Sequence, residues 1–502
     1  MKKIYKIKYA VIIIILILQL ALTQIFISCG SNNNNNTNGT DNAGNGVTNA
    51  AADSSAGTTS TPLDQLYPYP DHDYGGAAVN ILVRKDDWAA GSQDTADLSV
   101  DSLTGEVLND AVYNRTKAVE DKYNVQINVA YSKDPTTDTT KSVKAGDDAY
   151  QLIQEKLMFM ESTLATQNYL TDLQTVKSIN LDAPWYNQNA IKDMSINKKV
   201  TALGGDMTVN DKGGVIMMAF NKKLQQQYGI EDLYATVRDG KWTLDKLYNL
   251  IVQTTADLNG DGKYTFNDDQ WGLVCEDYGG WMFAAGSGNR LASLDANGIP
   301  YMTCTDEKTV SDYARIMKIM YEKQGRIVMQ DDVQHVSIFT DNRCFLSMDM
   351  LSSIAMLRGM TDDFGIIPVP KQDETQANYI TTISPWVSRF IAMPSTCGNP
   401  DMVGAVADAM SRESGNTVVP AYFDNLLNQK IARDEESIEM LKQIFSSVIY
   451  DIGSVFNWGG IWDLQYTFFN TKQQDYVSFY EKYQGKVEAA LQKTIDTMQG
   501  NG

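Results

Sequence analysis

Histidine is nearly absent: of 502 residues only His72 and His335 carry an imidazole. That excludes most His-based zinc sites and makes any Ser-His-Asp triad depend on one of two side chains. Cysteine is almost as sparse, with Cys29, Cys275, Cys304, Cys344 and Cys397, and no C-x-x-C pair occurs. A zinc ribbon or a thioredoxin-type site is therefore unsupported. The last four cysteines permit three full pairings, and spacing does not choose among them. In so large a region they read better as small buried hydrophobes than as a disulfide framework. Positive charge is also short, since 42 Lys+Arg stand against 62 Asp+Glu for a net charge of −20. So acidic a surface repels phosphate backbones and anionic lipid, which disfavours nucleic-acid binding. What remains is ordinary: 43% hydrophobic residues with 10% aromatics suit a globular protein, neither disordered nor multispanning. The length exceeds the roughly 250–300 residues at which a single core stops growing, so two or more domains are expected.

The first thirty residues read as an address. Lys2, Lys3, Lys6 and Lys8 form a basic n-region, and Ala10 to Leu22 is almost continuously apolar, the length of a secretory h-region. Phe26-Ile27-Ser28-Cys29 follows and resembles the lipobox of bacterial lipoproteins, with Phe26 and Ile27 departing from the commoner residues. The resemblance implies cleavage before Cys29, whose thiol takes the lipid, palmitate included. An uncleaved transmembrane anchor of about 18 residues is the alternative. Either one puts the folded part outside the membrane. Ser31 to Gln65 is Asn, Gly, Ser, Thr and Ala with hardly a large apolar side chain. Such a segment cannot offset its ordering entropy and is expected to act as a disordered tether reaching roughly 30–36 Å.

Beyond it, strand and helix patterns alternate. Ala78 to Val83 reads as a buried strand, Gly105 to Tyr123 as a helix, and Val125, Ile127 and Val129 as a half-buried strand. Tyr150 to Ile153 is a third strand candidate. This order implies parallel pairing and a doubly wound α/β sheet. Helices then dominate, with Thr243 as the cap of one holding Leu244, Leu247, Leu250 and Ile251. Val310, Tyr313, Met317 and Met320 mark another core-facing stripe. Phe364 to Val369 and Phe390 to Met393 return as short strands; Glu436 to Tyr450 and Tyr476 to Met498 read as helices. Strand segments near residues 80 and 390 suggest a lobe built from separated pieces.

Seven segments now carry a resemblance: TGEVLNDAVYNRTKAVEDKYNVQINV (104–129), NYLTDLQ (168–174), APWYNQN (183–189), GDMTVNDKGGVIMMAFNKKL (205–224), GIEDLYATVRDGKWTLDKL (229–247), FGIIPVPK (364–371) and VVPAYFDNLLNQKIARDEESIEMLKQIF (418–445). In this order, covering nearly everything after residue 75, they resemble the extracellular solute-binding proteins of bacterial ABC importers, of the sugar- and oligosaccharide-binding class. The resemblance implies a periplasmic-binding-protein-like fold of two α/β lobes that close on a hinge. It also implies a monomeric, non-enzymatic receptor serving a membrane permease driven by a separate ATPase. The chain holds no G-x-x-x-x-G-K-[ST] loop of its own. One lobe is expected from about 75–200 plus 335–400, the other from about 201–334 plus 401–502. An exported carbohydrate-active enzyme, which needs two carboxylates across a glycosidic bond, and a surface adhesin are the rival readings.

Ligands of open α/β sheets sit beyond the carboxyl ends of strands. Sugars offer apolar faces edged with hydroxyls, so they want flat aromatics beside carboxylates, amides or Arg. Trp88 follows the first strand with Arg84 nearby; Trp281 follows Gly279-Gly280, where missing side chains leave room for a ligand. Trp458 and Trp462 flank two glycines in NWGGIW beside Asp463, and Trp185 and Trp386 each follow a proline at expected lobe crossings. Asp206 and Asp349, in Met-flanked stretches, complete the candidates. For each Trp taken singly, the core is the better assignment, and Trp242 reads as a hydrophobic staple.

One further motif is sharp. Asp257, Asn259, Asp261, the Lys263 carbonyl, Thr265 and Asp268 occupy positions 1, 3, 5, 7, 9 and 12 of a calcium loop, with Gly262 at the turn. Asp268 replaces the usual bidentate Glu, and Asp269 could assist it. A structural Ca²⁺ is expected there, with a plain Asp/Asn/Gly turn as the alternative.

Overall fold

The computed structural model describes residues 72–86, 96–321, 326–329, 332–428 and 432–500. The signal segment, Cys29, the tether and Trp88 lie outside the described residues. Val79, Ile81, Leu82 and Val83 are all buried, as a strand covered on both faces requires. Accordingly β1 (Ala77–Arg84) pairs in parallel with β2 (Val125–Ser132) on one side and with β3 (Leu152–Lys156) on the other. The helix Val107–Tyr123 makes the crossover between β1 and β2. It starts where the Glu106 carboxylate accepts the Asn109 N–H and stops at Asn124 in the left-handed region. The third strand begins two residues later than expected, because Gln151 instead exchanges backbone and side-chain hydrogen bonds with Asn80.

The Met-rich runs form the centre of a second sheet. Here β4 (Ile216–Asn221), β5 (Trp271–Glu276), β8 (Arg326–Met329), β9 (Cys344–Met350) and β10 (Phe364–Ile367) take the order β10-β4-β9-β5-β8. Every residue of β4 and β9 is buried. A two-stranded ribbon of β6 (Ala292–Leu294) and β7 (Pro300–Met302) stands apart. The chain then returns to the first sheet, where β11 (Arg389–Ala392) pairs antiparallel with β3. Residues 335–400, expected together in the first lobe, are thus divided: β9 and β10 belong to the second sheet and β11 to the first. The helix Pro400–Asn416, expected in the second lobe, packs its Val403, Val406 and Met410 into the core around β1. Periodicity identifies elements, but sheet membership depends on partners far away in sequence. The expected helix Tyr476–Met498 divides into Tyr476–Glu481 and Gln484–Gln499. Trp242 is fully buried, with its indole N–H donating to the Pro368 carbonyl at 2.8 Å, just ahead of the helix capped by Thr243.

Two segments run between the sheets, 204–215 outward and 381–388 back, and they bond to each other. Ser384 N–H donates to the Gly214 carbonyl at 2.7 Å, Ile216 N–H to Thr382 at 3.0 Å and Arg389 N–H to Asn210 at 3.2 Å. The buried Asp97 carboxylate fixes the outward segment by accepting from Thr208 Oγ1 (2.6 Å) and Val209 N–H (2.7 Å). Gly214 is what lets the two segments touch: a Cβ there would stand 2.6 Å from the Ser384 carbonyl oxygen and 2.7 Å from Ser388 Oγ. Gly214→Ala is therefore expected to destabilise the protein by about 1–3 kcal/mol in urea unfolding, the usual range for forced overpacking. An unchanged midpoint would mean that the two segments separate freely.

Candidate functional site

A cavity of about 330 Å³ opens beside the returning segment. Three parts of the chain build its aromatic wall. At the carboxyl end of β5, Glu276 is followed by Tyr278 and by Trp281 in the helix Gly279–Gly286. The segment 381–388 supplies Thr382, Ser384 and Trp386, while the NWGGIW turn supplies Asn457, Trp462 and Asp463. Met158, Ile216, Met282 and Met350 close the apolar floor with Ile383 and Val387.

The turn is held by unusual backbone geometry. Asn457, Gly459 and Gly460 have φ of +46°, +60° and +86°, and at Gly459 a Cβ would lie 2.8 Å from the backbone of Val487. The Asn457 side chain then bridges the turn, accepting from Trp462 N–H at 3.0 Å and donating to Asp463 Oδ2 at 3.2 Å. Trp462 stacks on Tyr278 with ring centroids 4.5 Å apart and an interplanar angle of 13°. Burial, reinforced by the Asp463 and Asp277 charges, raises the Tyr278 hydroxyl above its ordinary pKa, so it stays a neutral donor. Trp386 is 45% exposed. It is braced by the Phe159 edge at 4.8 Å and by Lys156 Nζ at 5.1 Å from its ring. Trp281 is buried, yet its indole N–H meets no acceptor in the protein. Such a donor is costly to leave unpaired and is satisfied by a ligand or by water.

Of the tryptophans singled out from sequence, the fold brings Trp281, Trp386 and Trp462 to this cavity. It does not bring Trp458, which is buried against Phe456 at 5.3 Å and donates its indole N–H to Thr494 at 2.9 Å. That ring belongs to the core. The room left by Gly279 and Gly280 is taken by the protein as well: Cβ atoms there would meet Cys275 Sγ at 2.8 Å and the Phe469 ring at 2.3 Å. Arg84 is committed to structure, with its Nη2 on Glu155 at 3.0 Å and its Nη1 on the Lys133 carbonyl at 2.7 Å. Asp349 lies wholly buried in β9, where it accepts the Met350 N–H at 2.6 Å. Trp185 and Asp206 instead line a smaller cavity, about 140 Å³, at the outward crossing. There the Trp185 indole donates to Asp408 at 3.2 Å. Burial pushes the Asp206 carboxyl up to about 6, with Lys212 opposing and Asp211 adding to the rise. Sequence reasoning missed Glu276, Tyr278, Thr382 and Ser384. The first two could have been found as residues at the end of the buried run WGLVCE.

In the loop 257–268 the oxygen donors are occupied by backbone N–H groups. Asp257 accepts from Gly260 (2.7 Å) and Gly262 (2.8 Å), Asn259 from Asp261 (2.9 Å) and Asp261 from Lys263 (2.8 Å). Thr265 donates its hydroxyl to Asp268 at 2.9 Å. Asp269, the expected assistant, is buried and accepts from Leu258 and Thr265 N–H groups. Among the described residues no three His, Cys, Asp or Glu side chains converge as a metal site would require. The geometry is that of a turn, and the calcium expectation rests on the sequence pattern alone. Cys275, Cys304, Cys344 and Cys397 are buried, and no disulfide joins them. Among the described residues no helix is long and apolar enough to cross a membrane.

No family model matches this sequence. No curated protein matches it either. Solved structures do. UspC of M. tuberculosis is 14% identical with a TM-score of 0.54, over 82% of this chain and 100% of that one. A cyclo/maltodextrin-binding protein complexed with maltotetraose is 13% identical with a TM-score of 0.53, over 85% and 98%. The likeness is one of fold: this chain has the two-lobed α/β architecture of periplasmic binding proteins.

The two kinds of tryptophan predict opposite behaviour. Trp458→Ala should lower stability by about 3–5 kcal/mol, as for other buried aromatic truncations, while Trp386→Ala should stay within about 0.5 kcal/mol of the parent. Denaturant unfolding of both variants checks this; equal losses would place Trp386 in the core.

Proposed function

We propose that this protein is a non-enzymatic receptor that captures a carbohydrate between its lobes and delivers it to an ABC-type permease, held at the outer membrane face by lipid on Cys29. The observation that carries the reading is the cavity itself. Four aromatic rings, Tyr278, Trp281, Trp386 and Trp462, meet beside carboxylates, an amide and hydroxyls. Flat apolar faces edged by hydrogen-bonding groups match the alternating C–H faces and hydroxyl edges of a sugar. The position supports the same reading, because Thr382, Ser384 and Trp386 lie on a segment that runs between the sheets, so lobe closure would move them. The fold neighbour captured with maltotetraose is a precedent for such cargo. The hypothesis is tested with a panel of mono- and oligosaccharides scored by thermal shift and small-angle scattering. Binding should raise the melting temperature, compact the molecule and yield no product. Trp386→Ala should weaken the affinity roughly tenfold through lost stacking. Turnover of a bound sugar would replace the receptor with an enzyme; no binding by any sugar would remove the carbohydrate.

We also propose that Ca²⁺ occupies the loop 257–268, on the strength of its alternating oxygen donors. The carboxylates of Asp257 and Asp261 would then turn from backbone N–H groups to the ion. Titration with millimolar calcium should give heat and a higher melting temperature that Asp261→Ala abolishes. Absence of both signals sinks the site and leaves the receptor untouched.

A further inference from the structure

The lining of the cavity divides by origin. Its polar side chains come from the three stretches that carry the aromatic wall: Glu276 and Tyr278, Thr382 and Ser384, Asn457 and Asp463. Three other elements contribute apolar side chains only. Met158 follows β3 in the first sheet, while Ile216 opens β4 and Met350 ends β9 in the second. Ile216 and Met350 are register partners across adjacent strands, so their side chains stand side by side. Met158 is held at the returning segment, where its N–H donates to the Pro385 carbonyl at 2.9 Å. All three belong to one buried apolar cluster, and the floor of the cavity is the surface of that cluster.

A bare sugar suits half of this space. Over the floor its hydroxyls would meet no donor or acceptor, and a buried hydroxyl without a partner is costly. Asn457 adds little, because its amide is occupied within the turn by the Trp462 N–H and by Asp463. Methionine has three rotatable bonds and a polarisable sulfur, so the floor can mould itself to an apolar group. Size limits that group. At about 330 Å³ the cavity stands at the lower end of small-molecule sites, roughly 300–1,000 Å³, with room for a compact substituent and not a long chain. The Trp281 indole N–H, buried without a protein acceptor, points to a ligand independently. An indole donates and accepts nothing, and Trp281 is followed directly by Met282 of the floor. Its best match is an acceptor that brings no donor of its own, such as the ether oxygen that joins a sugar to an apolar group.

Resting on the receptor reading above, we propose that the solute is an alkyl or aryl glycoside. Its sugar ring lies against Trp386 and the hydroxyls of Thr382 and Ser384, and its compact apolar group sits on Met158, Ile216 and Met350. The floor sets the preference for the substituent, and the Trp281 N–H reads the oxygen between the two parts.

The experiment uses glucose, galactose and xylose, each as the free sugar and as methyl and phenyl glycosides in both anomers. Cellobiose and lactose serve as unsubstituted disaccharides, and phenol as the apolar group without a sugar. Calorimetry on the full chain should show a phenyl glycoside bound about tenfold tighter than its methyl counterpart. The heat-capacity change on binding should be more negative for phenyl than for methyl, a reading that needs no variant. Met350→Gln should lower the phenyl-to-methyl affinity ratio about fivefold, with the melting temperature reporting the fold, while Trp386→Ala weakens both glycosides and keeps the ratio. An unchanged ratio in folded Met350→Gln overturns the seating on the floor. Methyl glycosides or unsubstituted sugars bound as tightly as phenyl glycosides overturn the inference and leave the carbohydrate receptor standing. Phenol bound as tightly as its glycosides keeps the apolar floor and overturns the saccharide. Failure of every probe to bind overturns both.

Discussion

The contact on which the rest depends is the backbone hydrogen bonding between the two crossing segments. Gly214 and Ser384 meet at 2.7 Å, at a separation no side chain on residue 214 could share. Because both segments enter sheets within a few residues of this contact, the position of either sheet edge is referred to it. On the outward side Val215 accepts from Leu351 N–H at 2.9 Å, which ties the crossing to the end of β9. On the return side Ser388 and Pro385 accept from Leu157 and Met158 N–H groups, both at 2.9 Å, which ties it to the end of β3. Trp386 projects from the middle of this frame, so backbone geometry places it and the Phe159 and Lys156 side chains brace it. An exposed ring can be held ready only where its support is rigid.

Buried charge adds a second constraint. Arg84 on β1, Glu155 on β3, Arg389 on β11 and Asp86 in the following loop form one network across three strands. Burial alone would raise the Asp86 carboxyl, but Lys156 and Arg389 outweigh it and hold the group below its ordinary value. A network of this kind is weak evidence for stability, since desolvation offsets much of its attraction. Its effect here is registration. Arg389 reaches both Asp86 and the Arg84 carbonyl, so β11 can seat in one register against the first sheet, and Trp386 follows three residues ahead of it. Lys156, from the same network, then lies over the Trp386 ring.

Strand β1, the helix Val107–Tyr123, β2, β10 and β11 were all legible, because buried strands and amphipathic helices write their periods into a few adjacent residues. The membership of β9 and β10 in the second sheet was not. A short apolar run fits any sheet centre, and its partner is chosen by crossings that leave little local trace. The tryptophans show the same division. NWGGIW marks a turn that only glycine can make, and one of its rings does reach the cavity. Yet Trp458 and Trp462, four residues apart, face opposite fates: with Gly459 seated against the Val487 backbone the first packs on Phe456 and bonds to Thr494, and the helix that starts at Ile461 carries the second on to Tyr278.

The sequence by itself determined the α/β alternation, the acidity, the caps and the set of aromatic residues from which a site could be drawn. Each of these is local, set by the spacing and chemistry of residues close in the chain. The tertiary structure alone decided which aromatics gather around one space and that Arg84 and Asp349 are withdrawn from it. Those outcomes depend on contacts between β5, a crossing segment and a turn separated by roughly 70 to 180 residues. Burial and pairing at such range follow from the packing of the whole chain.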